Sequence, residues 1–280
     1  MLRPIDWTTP RSVLEALIRH EAVHAIDGFD DLQNRIATPD RRCYGFFHPH
    51  APDEPLIFVE VALTREIPAA IGPILDRHRR PIAPETATTA VFYSISNTQR
   101  GLAGIGLGHF LIRQVVDDLK RHLPGLATFV TLSPAPRFAE WLAAARRAGN
   151  SGLPAGTVAA LSPLDRDGWW RDATTAAAIG APLLGAAAYY FLAARDDRGR
   201  VVDPVARFHL ANGARLERLN PLADTTAKGL EQAHGLMVNY RYDPETIEAN
   251  HAAFVEGGTV VAAPEVRALA GGAAREGTAG

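Results

Sequence analysis

Residues 90–134 read AVFYSISNTQRGLAGIGLGHFLIRQVVDDLKRHLPGLATFVTLSP, and the order of features within them decides the fold. Ala90 to Ser96 carries the β-branched and aromatic bias of a buried strand. Gln99 to Gly108 then places Gly101, Gly104, Gly106 and Gly108 in one loop, where a backbone without Cβ atoms can approach a ligand closely. From His109 to His122 the apolar Ile112, Val115, Val116 and Leu119 recur at helical spacing. The loop therefore delivers unpaired N–H groups to a helix start, where a phosphate is stabilised. Ala127 to Leu132 reads as a second strand, and Ser133 lies just outside its carboxyl end, where ligands of open α/β sheets bind. Two parallel strands need such a helical crossover, which is right-handed almost always.

The glycine loop lacks the Gly-Lys-Ser/Thr ending of a nucleoside-triphosphate loop. No acidic residue follows at a strand end about twenty residues on, as a dinucleotide fold would want. A ligand carrying a pyrophosphate on an extended arm fits better, and coenzyme A is the common one.

Outward from this unit, residues 11–36 read helical, with Val13, Leu14, Leu17 and Ile18 on one face. Arg42 to His48 and Leu56 to Thr64 read as an antiparallel pair joined by the turn-rich Pro49 to Pro55. Residues 69–80 read as a helix and 81–89 as a loop. Phe138 to Ala148 reads helical, Asn150 to Gly156 as a linker, and 157–195 as helix with a break near Pro182. A helix at about 204–211 and strands near 214–219 and 236–241 follow, without internal repeats.

The 280 residues are 47% hydrophobic, enough for one large domain or a domain with an appendage. A net charge of −2 gives no electrostatic case for nucleic acid or an anionic membrane. The apolar run Ala176 to Ala194, interrupted by Gly180, Pro182 and Gly185, reads as a buried helix. The lone Cys43 excludes an internal disulfide and nothing at the N-terminus reads as a signal peptide, so a cytoplasmic protein is expected.

His20-Glu21-Ala22-Val23-His24 spells a zinc-peptidase pattern, two histidines one helical turn apart. No third ligand is evident, and neither a further downstream histidine of the metzincin kind nor a methionine turn follows. No metal is expected.

Longer words in the sequence carry a specific resemblance. Phe92-Tyr93-Ser94-Ile95-Ser96, Gln99, Gly101-Leu102-Ala103-Gly104-Ile105, Gly108 with Phe110-Leu111-Ile112, and Leu132-Ser133-Pro134 are similar to the catalytic domain of malonyl-CoA decarboxylases. So are Asp203-Pro204-Val205-Ala206-Arg207-Phe208-His209-Leu210, Asn212-Gly213-Ala214, Ala223-Asp224, Lys228-Gly229 and Gly235-Leu236-Met237-Val238-Asn239-Tyr240-Arg241-Tyr242. Glu21-Ala22-Val23-His24, Arg41-Arg42-Cys43-Tyr44 and the run Glu54 to Thr64 extend the likeness over about residues 7–260. At two places the chain departs from that pattern: Pro221 stands where relatives often have tryptophan, and the segment between Trp141 and Pro182 looks shorter.

The resemblance implies an α/β fold of the acetyltransferase-like (GNAT) kind, a mixed sheet with splayed parallel strands and flanking helices. Ala90 to Ser96 and Ala127 to Leu132 would be the splayed pair, and the acyl-CoA arm would enter the gap. It places a catalytic domain at 1–265, with a helical segment at about 138–195, and a disordered tail at 266–280. The helical oligomerisation domain of full-length relatives is expected to be absent, which leaves open whether the chain forms a homo-oligomer. The implied reaction converts malonyl-CoA to acetyl-CoA and CO₂ without a cofactor. His209 matches the family's catalytic histidine, as proton donor and carboxylate partner. Ser133 matches its catalytic serine, binding the malonyl carboxylate or relaying the proton. Ala103, Gly104, Ile105, Gly106, Leu107, Gly108, His109, Ser133, His209 and Tyr242 are the expected substrate contacts. An acyl-CoA-dependent N-acyltransferase and a non-catalytic acyl-CoA-binding protein remain alternatives.

Overall fold

A computed structural model describes residues 1–98, 107–148 and 152–275, which fold as two units, Met1–Leu132 and Ser133–Gly280. The first unit runs β1 (Leu2–Ile5), α1 (Arg11–His20), α2 (Gly28–Ile36), β2 (Arg41–His48), β3 (Ala51–Thr64), α3 (Gly72–Leu75), β4 (Thr89–Asn97), α4 (Leu107–His122) and β5 (Thr128–Thr131). Its sheet has the order β1-β2-β3-β4-β5, antiparallel except between β4 and β5. Val13, Leu14 and Leu17 of α1 are buried with Leu32, Ile36, Cys43 and Phe58, as the helical spacing requires. Burial pushes the Cys43 thiol well above its ordinary pKa.

The parallel pair splays. β5 matches β4 only from Thr89↔Thr128 to Phe92↔Thr131, and the Leu132 N–H donates the last bond to the Phe92 carbonyl at 3.0 Å. β4 continues alone to Asn97 along β3. There Tyr93 is an extra residue, because Phe92 lies opposite Val61 and Ser94 opposite Glu60.

Three expectations differ in this unit. Residues 11–36 form two helices, since Glu21 turns extended at ψ 111° and ends α1. β3 starts at Ala51 and takes in Pro52 and Pro55, with the register against β2 slipping at Phe47; prolines donate no ladder bond, so the slipped end of the pair accommodates them. The helix expected at 69–80 is a single turn. Arg79 instead donates to Thr38 Oγ1 at 2.7 Å and Asp40 Oδ1 at 3.0 Å, and a loop satisfies those bonds.

The second unit runs β6 (Ser133–Pro134), α5 (Phe138–Arg147), α6 (Ala155–Ala160), α7 (Ala173–Leu192), α8 (Pro204–Ala211), β7 (Arg215–Asn220), α9 (Ala227–Ala233), β8 (Met237–Arg241), α10 (Ile247–Gly257) and α11 (Pro264–Arg275). β8 pairs antiparallel with both β6 and β7. The helix read over 157–195 is divided ahead of α7, where Pro163 and Gly168, at φ +74°, accompany two 3₁₀ turns. α7 then passes through Pro182 unbroken. The carbonyl that Pro182 cannot serve belongs to Ala178, which is exposed to solvent. α7 buries Ala186, Ala187, Ala188, Tyr190 and Phe191 within the second unit. The tail expected to be disordered from 266 is helical to Arg275, because Val266 is buried, α11 packs on α7, and the Arg267 guanidinium donates to the Ala262 carbonyl. Residues 276–280 lie outside the described residues.

Candidate active site

Asp203 begins the site. Its side-chain Oδ1 accepts the Val205 and Ala206 N–H groups at 2.9 Å each, capping α8. Pro204 follows at the first turn, where no donor is needed. The Tyr190 hydroxyl donates to Asp203 Oδ2 at 3.2 Å, and burial raises the carboxyl above its ordinary range. The other end of α8 is pinned by Gly213 at φ +80°. Gly213 N–H donates to the Leu210 carbonyl and Ala214 N–H to the His209 carbonyl, both at 3.0 Å. His209 is thus held near the end of a short helix fixed at both termini.

Ser133 reaches the same place from β6, paired opposite Val238. Its Oγ lies 3.0 Å from His209 Nε2, and His209 Nδ1 lies 2.8 Å from the Tyr242 hydroxyl. The imidazole stacks on Tyr240, with ring centroids 4.6 Å apart and planes 25° from parallel. Exposure is 6% for Ser133, 3% for His209 and 2% for Tyr242. Burial lowers the His209 pKa to about 3, so the ring is neutral at physiological pH. The histidine expected as proton donor is therefore a neutral imidazole with one N–H. When Tyr242 donates to Nδ1, that N–H sits on Nε2 and points at Ser133 Oγ. The opposite tautomer makes Ser133 the donor to Nε2.

The structure brings Ser133, His209 and Tyr242 together. Leu107, Gly108 and His109 form the first turn of α4 in the first unit. Ala103, Gly104, Ile105 and Gly106 lie outside the described residues. The sequence reading did not single out Tyr240 as a site residue or Asp203 as the cap. Both left a signal: Tyr240 and Tyr242 share a strand face by their two-residue spacing, and Asp-Pro is a helix start. The histidine pair of the zinc-like pattern is separated, because α1 ends at His20 and Glu21 is extended. His20 Nε2 lies 3.3 Å from Glu54 Oε1. Among the described residues no three His, Cys, Asp or Glu side chains are placed to hold a metal.

The low pKa of His209 has a measurable consequence for stability. A histidine in the unfolded chain titrates near 6.5 and His209 in the folded chain near 3, so the unfolded state binds the extra proton between those values. The stability present above about pH 6.5 should drain away as the pH falls toward 3. A His209→Gln chain should lose stability less steeply, the slopes differing by up to about 1.4 kcal/mol per pH unit. Urea unfolding of both chains across that range measures the difference, and equal slopes would refute it.

A family model described as the malonyl-CoA decarboxylase C-terminal domain matches residues 1–279. The chain belongs to that family. The mitochondrial malonyl-CoA decarboxylase of Anser anser anser is 36% identical over 275 residues, which cover 91% of this chain and 54% of the relative. The chain thus spans about half the length of that relative. The crystal structure of malonyl-CoA decarboxylase from Rhodopseudomonas palustris is 58% identical with a TM-score of 0.92, covering 96% of this chain and 66% of that one. The loading GNATL domain of CurA from Lyngbya majuscula shares the fold alone, at TM-score 0.52 and 14% identity, over 89% of this chain and 98% of that one. The acetyltransferase-like α/β fold implied by the sequence is thereby found in this malonyl-CoA decarboxylase family member.

Proposed function

We propose that this chain decarboxylates malonyl-CoA to acetyl-CoA and CO₂ without a cofactor. The observation that carries the proposal is the buried Ser133–His209–Tyr242 hydrogen-bonded chain, in a member of this family. Heterolysis of the carbon–carbon bond releases CO₂ and leaves an electron pair on the α-carbon, delocalised onto the thioester oxygen as an enolate. Preorganised N–H donors are the strongest general means of holding such charge. Within the first unit, the splayed half of β4 presents N–H groups of that kind. Thr98 N–H donates to Leu56 O beside β3 at 3.1 Å, and strand alternation turns the N–H groups of Ile95 and Asn97 to the other edge.

The α-carbon then takes one proton. Ser133 O–H delivers it, Nε2–H of His209 moves to the serine as the Tyr242 O–H proton moves to Nδ1, and one proton taken up from water then restores the Tyr242 hydroxyl, which burial keeps protonated. The imidazole stays neutral throughout, as its burial demands. No acyl-serine forms, since no acyl group is transferred. Pyrophosphate binding is assigned to the glycine loop and the start of α4, where Leu107, Gly108 and His109 lie.

The test incubates the purified chain with malonyl-CoA, with and without a chelator, and follows acetyl-CoA by chromatography. Acetyl-CoA is expected at equal rates in both. Binding of malonyl-CoA without any acetyl-CoA would overturn the proposal in favour of a binding protein, and loss only on chelation would overturn the cofactor-free mechanism.

A further inference from the structure

Glu21, the acid of the zinc-like pentapeptide, has a different task in this fold. Four donors fill its carboxylate. Val23 N–H and His24 N–H reach Oε1 at 2.9 Å each, Ser94 O–H lies 2.7 Å from both oxygens, and Ser96 O–H reaches Oε2 at 3.1 Å. Ala22 N–H adds a bond to Ser96 Oγ at 3.1 Å. A carboxylate has about four acceptor sites and no hydrogen, which suits four converging donors.

Both serines are buried and stand two residues apart on β4, so their side chains leave the same face of the strand. They lie in the part of β4 beyond the Tyr93 bulge, where β5 no longer pairs. Among the described residues, strand bonds hold that part on its β3 edge only, and a bulge weakens the ladder locally. The loop after α1 is therefore tied across the face of the stretch of β4 that β5 does not pair.

We propose that Glu21 is a positioning residue: through Ser94 and Ser96 it fixes the splayed half of β4, so that its outward N–H groups are set to receive the thioester oxygen. The inference rests on the decarboxylase reading above. It assigns Glu21 no contact with substrate.

Ser94→Ala/Ser96→Ala cuts the tie while leaving the bonds from Glu21 to Val23 and His24, and so keeps the loop. In Glu21→Gln one oxygen still accepts the loop N–H groups, and the serine hydroxyls can turn to accept from the amide. Steady-state kinetics with malonyl-CoA, calorimetric binding of acetyl-CoA and thermal melting are measured on the full chain. The double serine variant is expected to lose about tenfold or more in kcat, because displaced donors cost mainly transition-state stabilisation. Its acetyl-CoA Kd should stay within about threefold, and Glu21→Gln should retain more kcat than Glu21→Ala. Unchanged kcat in an active background, or a loss expressed wholly as weaker acetyl-CoA binding, would overturn the inference alone. An unmutated chain that makes no acetyl-CoA would overturn the decarboxylase reading and this inference with it.

Discussion

His209→Ala should lower kcat for malonyl-CoA by about 10²–10⁴-fold, the usual worth of a positioned proton-transfer group. The ring is the middle of a three-residue chain, 3.0 Å from Ser133 Oγ and 2.8 Å from the Tyr242 hydroxyl. Without it Ser133 keeps its hydrogen but loses the group that restores it. Ser133→Ala should cost a similar factor, and the double variant little more than either single one, because the residues act as a unit. Tyr242→Phe removes the hydroxyl beside Nδ1 and should have the smaller effect, about tenfold. With the His209 pKa at about 3, the kcat–pH profile should show no step near 6.5. Single-turnover acetyl-CoA formation from pH 5.5 to 8 measures all of this. Retention of more than about a tenth of the activity by His209→Ala would remove His209 from the mechanism.

Gly213→Ala should destabilise the second unit by about 3 kcal/mol or more. At φ +80° an alanine is strained by about 1 kcal/mol. Its Cβ would also meet the Ile247 carbonyl oxygen, a backbone atom at the start of α10 that cannot rotate aside. Gly199→Ala separates the two costs, since Gly199 has φ +74° but open space around an added Cβ. That variant should lose only the strain, about 1 kcal/mol. Urea unfolding of the two chains makes the comparison, and equal losses would show that the Ile247 contact yields. Gly213→Ala should also lower activity beyond its stability loss, because the turn aims the Ala214 N–H at the His209 carbonyl.

The two strands and the helix of the central unit were legible because their signals are local. The bias of residues 90–96 and the helical spacing of 109–122 correspond to β4 and α4 within two residues at each end. Asp203 and Pro204 marked the start of α8 for the same reason. What stayed hidden depends on distant partners. Nothing near Glu21 says that Ser94 and Ser96 will fill its carboxylate, and the spacing of the two histidines suggested a helix where the chain turns extended. The three residues of the candidate site are 76 and 33 positions apart in sequence, so only family words placed them together before the fold did. The shift of His209 to about 3 was equally unreadable, since it comes from burial alone.

The solitary buried thiol in β2 gives this protein a built-in reporter. Cys43 belongs to the first unit, while three of the four tryptophans, Trp141, Trp169 and Trp170, belong to the second. A thiol kept protonated and out of solvent reacts with a maleimide only when the strands around it open. Labelling rates thus time the opening of one unit and indole fluorescence the melting of the other. The order in which the halves come apart can be read from the unaltered chain, without a single engineered probe.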